Sequence, residues 1–115
     1  MRYRVGVKMP RVLDPRMAVA INAIDAAFRS ILRDPMAEAT VTHWEDGVHG
    51  LNSYHKRQGR GLDVRTKAIA RTEEKLGIEA EIKRRIGHLG FDVILEDLGG
   101  DEEHIHCELD SRADQ

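Results

Sequence analysis

Near the end of the chain, His104-Ile105-His106-Cys107-Glu108-Leu109 alternates polar and apolar side chains without a break. Strict alternation is the period of a strand with one buried face. Ile105, Cys107 and Leu109 then share one face, and His104, His106 and Glu108 the other. Such a strand is backed by apolar packing on one side only. Two imidazoles on its other face are costly to bury without a purpose.

The rest of the chain supplies what that strand packs against. Asp14-Pro15 predicts a helix start, with a carboxylate cap and proline in the first turn. Met17, Ala20, Ile21, Ile24, Ala27, Phe28, Ile31 and Leu32 follow at helical spacing, and Asp34-Pro35 ends the run. Residues 1–13 read as irregular or briefly extended. Ala39 to Trp44 is rich in β-branched residues and reads as a strand, followed by a loop at Glu45 to Gly50. Gly61 to Thr66 reads as a second strand. Helical patterning runs from about Lys67 to Leu89 through Ile69, Leu76, Ile82 and Ile86, with a break expected at Gly77 and a C-cap at Gly90. Phe91 to Glu96 is a third strand and His104 to Leu109 a fourth. Helix, two strands, helix, two strands is an α+β order. The 115 residues suit a single domain, 1–115, with one modest core.

Charge excludes some partners. Eighteen Lys and Arg against 20 Asp and Glu give a formal net charge of −2, with the signs interspersed. No long-range pull toward nucleic acid or an anionic membrane follows, and no basic run is flanked by stacking aromatics. The one dense single-sign stretch is acidic, from Glu96 to Glu103. Neither an apolar signal core nor a membrane-length apolar run is visible, so the expectation is a soluble protein, cytoplasmic as synthesised. Composition says nothing about oligomeric state. Cys107 is the sole cysteine, which rules out an intrachain disulfide and any multi-cysteine metal site. It reads as a buried hydrophobe.

The six histidines stand at 43, 49, 55, 88, 104 and 106. His88, at a helix end, reads as a surface residue. His55 and Asp63 bracket a glycine-bearing loop, and the Glu103-His104-Ile105-His106 cluster lies far down the chain. Imidazole and carboxylate donors suit zinc. The expectation is that the two clusters meet and hold one zinc ion.

Ser53-Tyr54-His55 followed by Gly59-Arg60-Gly61-Leu62-Asp63-Val64 resembles the S-x-H-x-x-G-x-A-x-D signature of the zinc D-Ala-D-Ala metallopeptidases and the hedgehog signalling domain, which share a fold. Gly90 to Glu96, followed by His104-Ile105-His106-Cys107, looks like the closing half of that pattern. The likeness is closest to the small phage and prophage members and covers roughly residues 12–110. The resemblance implies an α+β fold with a small antiparallel sheet packed on helices. It implies zinc as cofactor, held by His55, Asp63 and His106, with the fourth position left to water. It also implies hydrolysis of peptide bonds in bacterial peptidoglycan stem peptides. This is the work of a carboxypeptidase or endopeptidase of endolysin type, acting at the cell wall once released. A fold-retaining binding module without activity is the alternative. Here the stretch from His55 to Asp63 is one residue longer than the signature, and glycine, Gly61, replaces its alanine. The Lys56-Arg57-Gln58 loop must therefore bulge if His55 is to reach the metal.

A general base must take a proton from water and later deliver it to the leaving amine. Glu103, in a Glu-x-x-His spacing with His106, is one candidate, though an odd step along a strict strand would turn it away from that histidine. Glu96, ending the preceding strand, is the other. A solvated acidic loop is the alternative for either. His104 is a candidate oxyanion donor or a partner of the ligands. His49 and Ser53 are candidate substrate contacts, and Ser53 alternatively holds its own loop. Arg60 and Arg65 are candidates for pairing with a substrate carboxylate, against plain surface salt bridges. Trp44 reads as a core or edge residue.

Overall fold

The computed structural model describes residues 1–10, 12–44 and 59–110. Helix α1 spans Met17–Leu32 and buries Met17, Ala20, Ala23, Ile24, Ala27 and Phe28; Ala23 joins the expected stripe, of which Ile21, Ile31 and Leu32 are only partly buried. It starts two residues beyond Asp14-Pro15. Asp14 still serves that end, because its carbonyl accepts from the Met17 N–H at 2.9 Å and its carboxylate from the Arg16 N–H at 3.0 Å. Arg33 adopts a left-handed conformation (φ 54°) and closes the helix onto the Arg29 carbonyl.

Helix α2 spans Thr72–Ile86. It begins later than the apolar pattern implies, since Ile69 is held in a turn by its N–H to the Thr66 carbonyl, 2.9 Å. The helix also runs unbroken through Gly77. There the helix packs against α1, and a Cβ would stand 3.4 Å from the Ile31 side chain, in ordinary van der Waals contact. The glycine marks a helix crossing, where a break was expected. The buried stripe is Ile78, Ile82 and Ile86, whereas Leu76 and Leu89 are exposed. A short 3₁₀ turn, Gly87–Leu89, ends on Gly90 at φ 95°, the cap the sequence indicates.

The strands are β1 (Arg2–Tyr3), β2 (Thr40–Trp44), β3 (Gly61–Arg65), β4 (Phe91–Glu96) and β5 (His104–Leu109). They form one sheet in the order β1-β2-β3-β5-β4. The last four are antiparallel, but β1 runs parallel to β2. The sheet is therefore mixed, which corrects the antiparallel expectation. The physical reason lies in the connection: β1 and β2 are joined through α1, and a strand–helix–strand crossover returns the chain in the same direction. Asp25, buried in α1, accepts the Ala39 N–H at 3.0 Å and fixes the chain where it enters β2.

Val41, Leu62, Val64, Phe91, Val93, Ile105, Cys107 and Leu109 face the helices and are buried there with Ile24, Phe28, Ile78 and Ile82. The domain is thus an α+β arrangement of a five-stranded mixed sheet on two helices. Trp44 is buried in the core and stacks on Tyr3 with ring centroids 6.4 Å apart. Among the described residues, no helix is long and apolar enough to cross a membrane.

Candidate functional site

The opposite face of the sheet carries the polar residues. In β3 and β5 the register pairs Asp63 with His106 and Arg65 with His104. Across β5 and β4 it pairs His104 with Glu96 and His106 with Ile94. Directly opposed residues of antiparallel strands project to the same face, their Cβ atoms about 5 Å apart. Two clusters distant in sequence thus meet by strand pairing alone, as expected for Asp63 and His106.

The contact between them is close. His106 Nδ1 and Asp63 Oδ1 are 2.6 Å apart, and His106 Nε2 lies 3.5 Å from Glu108 Oε1. The two carboxylates, Asp63 foremost, hold the imidazolium up to about 10 against the opposing effect of burial. A metal would have to displace that proton, since only a neutral ring ligates. The raised value also bears on stability. A group titrating higher in the folded chain than its ordinary 6.5 stabilises fully below that pH and loses the contribution as pH rises through about 10. Metal-free protein is therefore expected to lose thermal stability between pH 7 and pH 10 in scanning calorimetry. Asp63→Asn should flatten that slope, and an unchanged slope would refute the pairing.

His104 faces the same carboxylate. Its Nε2 is 3.7 Å from Asp63 Oδ1 and 3.7 Å from Glu96 Oε1. Its Nδ1 lies 2.5 Å from the Glu102 carbonyl. A carbonyl only accepts, so Nδ1 carries hydrogen there. In the neutral ring Nε2 is then a proton acceptor, and it donates to an oxyanion only as imidazolium. Glu96 is half exposed and stands in the same transverse row.

Glu103 has a different place. Its side chain is buried, its carboxylate takes hydrogen bonds from Thr66 Oγ1 and from the Gly99 N–H at 3.0 Å, and it pairs with Lys75 on α2 at 2.9 Å. Although burial opposes ionisation, Thr66, Gly99 and Lys75 together hold the carboxyl down to about 2. A carboxylate so saturated is a weak base and a structural tie between the β4–β5 connection and α2. The odd step from His106 does turn it toward the helices.

Arg60 is also committed. It is buried, its Nη2 donates to the Asp110 carbonyl at 3.3 Å, and its Nε lies 3.8 Å from Asp14 Oδ2. It ties the start of α1 to the end of β5, and its guanidinium is buried away from solvent. His55, Ser53 and His49 lie outside the described residues, as does the Lys56-Arg57-Gln58 loop. Cys107 is buried beneath the site, and burial pushes its thiol up to about 12. It is inert packing, as expected.

One residue escaped sequence reasoning. His43 pairs with Asp63 across β2 and β3. Simple alternation would set it on the core side with Val41. A register shift between Val41 and His43 absorbs Thr42, so Val41 is buried and His43 exposed. His43 and Thr42 line a cleft of about 360 Å³ together with Asp63, His104, Arg4 and Arg65.

Chemically, the face offers a carboxylate and an imidazolium in direct contact, with a second imidazole and carboxylate beside them. Among the described residues, no group of three or more His, Cys, Asp and Glu side chains is arranged to hold a metal. Of the residues expected as ligands, Asp63 and His106 stand together on this face, and His55 lies outside the described residues. Comparison with protein-family models, with curated proteins and with solved structures found no match for this chain.

Proposed function

We propose that this protein is a zinc-dependent peptidase of the hedgehog and D-Ala-D-Ala metallopeptidase fold. Its substrates are peptide bonds of bacterial peptidoglycan stem peptides. The observation that carries the reading is the Asp63–His106 pair, 43 residues apart in sequence and 2.6 Å apart in space on the open face of the sheet. Their donor atoms, spread to roughly 3.3 Å, would span two positions of a tetrahedral ion. That adjustment is under an ångström, so the two residues fit the metal, with His55 as the third ligand in this reading. Zinc held there supplies Lewis-acid activation of the scissile carbonyl and of a water.

The remaining work falls to the chain. Glu96, beside His104 on the same face, takes the role of general base, because Glu103 is saturated by Thr66, Gly99 and Lys75. His104 Nε2, turned toward both Asp63 and Glu96, accepts or returns the proton to the leaving amine. Glu108 holds the far side of the His106 ring and orients it.

The test is metal analysis followed by incubation with purified peptidoglycan. The expected result is about one zinc per chain and release of soluble stem peptides, abolished by a chelator and restored by zinc. Bound zinc with no release from any wall substrate would instead favour a binding module that retains the fold. A chain that binds no zinc would sink the peptidase reading.

A further inference from the structure

The balanced net charge hides a segregated one. Residues 1–13 hold four of the 18 Lys and Arg (Arg2, Arg4, Lys8 and Arg11) and none of the 20 Asp and Glu. The formal −2 therefore divides into a positive stretch and a more negative remainder. The described residues of that stretch lie along the β1 edge of the sheet. The Arg2 N–H donates to the Ala39 carbonyl at 2.8 Å and the Arg4 N–H to the Val41 carbonyl at 2.9 Å. The chain then turns at Gly6, φ 87°. It arrives beside Gly59, whose carbonyl accepts the Asp14 N–H at 3.2 Å. The stretch is thus a strap from the start of β2 to the entry of β3.

Cationic and apolar side chains alternate along the strap. Arg4 and Lys8 are exposed, and no carboxylate engages either among the described residues. The acids that meet the two ends of the strap are taken, Glu38 by Arg2 at 3.6 Å and Asp14 by Arg16 at 2.7 Å. On the cleft side Arg4 shares the wall with Asp63, Asp101 and Glu102. Of these, Asp63 is held by His106 and Asp101 by Lys67 at 3.8 Å. Among the cations, Val5 is 98% exposed, and Tyr3, Met9, Val12 and Leu13 are exposed as well. Scattered exposed apolar residues need no explanation, but a run of them in one acid-free strap forms a patch.

Cations alone would suit any polyanion. Apolar side chains set between them suit an anionic bilayer, where cations meet phosphate headgroups and apolar groups enter the acyl boundary. A soluble phosphate polymer would leave Val5 and Met9 in water.

We propose that the strap is a docking surface for an anionic lipid bilayer, with Arg4 and Lys8 at the headgroups and Val5, Met9 and Val12 in the acyl boundary. Arg4 also lines the cleft beside Asp63, so docking sets the mouth of the cleft against the lipid. The proposal revises the expectation, drawn from net charge, that an anionic membrane exerts no pull. It stands on the strap and not on the peptidase reading.

The test is sedimentation of the full chain with vesicles of phosphatidylcholine, alone or with about one third phosphatidylglycerol. Each basic residue at an anionic surface strengthens partitioning about fivefold, so Arg4 and Lys8 together should make the mixed vesicles bind about 20-fold more tightly. Lys8→Gln should weaken that binding about fivefold, and Val5→Ser at least about threefold. Both side chains are exposed, so thermal melting should not change in either variant. Val5→Trp adds a depth probe over the constant signal of buried Trp44. Its emission should shift to the blue on mixed vesicles and be quenched by brominated lipid. Equal binding to both vesicle types, or binding to neither, would overturn the proposal. So would binding to mixed vesicles that Val5→Ser leaves unchanged and soluble polyphosphate abolishes, which would make the partner a phosphate polymer.

Discussion

Asp63→Asn is expected to abolish zinc binding and peptide release together while leaving the fold in place. Asp63 is half-buried on the open face of the sheet, so an isosteric amide costs little packing. What it removes is the charge. An amide oxygen is a poor ligand for zinc, and affinity should drop by well over 100-fold, since even partners behind the ligands cost 10- to 100-fold. The same change releases His106, whose imidazolium Asp63 chiefly sustains. In the metal-free variant the ring should titrate well below about 10, visible in the pH dependence of its NMR signals. Zinc stoichiometry and His106 titration are independent readouts of one carboxylate. If zinc still binds at one equivalent with wild-type affinity, Asp63 is no ligand and the proposed site is wrong.

Glu103→Gln is expected to destabilise the protein by about 3 kcal/mol, because it leaves the Lys75 ammonium buried without its partner. Chemical denaturation measures this directly. The pH dependence carries the same signature. The carboxyl titrates near 2 in the folded chain against an ordinary 4.5, so its stabilisation is present above pH 4.5 and lost as pH falls through about 2. The wild type should therefore soften in acid across that window, and Glu103→Gln should not. Adding Lys75→Met removes the orphaned charge and should recover much of the loss. Glu96→Gln is the contrast, with stability little changed and hydrolysis lost. Were Glu103→Gln as stable as wild type yet inactive, Glu103 would be the base after all and Glu96 would lose that role.

The alternation in His104 to Leu109 fixed a strand, its buried face and the side on which two imidazoles stand, because a two-residue period leaves one reading when one face must be apolar. The α1 stripe and the bounds of β4 were equally legible. Local pattern failed where a distant neighbour set the outcome. Gly77 reads as a break until Ile31 of α1 is seen packed against it. That His43 opens onto the cleft beside Asp63 depends on a register shift between β2 and β3 that absorbs Thr42, which strand period alone does not show.

The candidate site divides the same way. The sequence by itself determined which residue types were available, and that His104, His106 and Glu108 would share one polar face. It did not determine their partners, since an acid is a base or a structural anchor according to what surrounds it. Only the tertiary structure decided that Glu103 belongs to Lys75 and Thr66, that Arg60 ties Asp14 to Asp110, and that Arg4 and Arg65 share a cleft. The physical reason is that strand period is a property of neighbours in the chain, whereas ionisation and hydrogen bonding answer to neighbours in space.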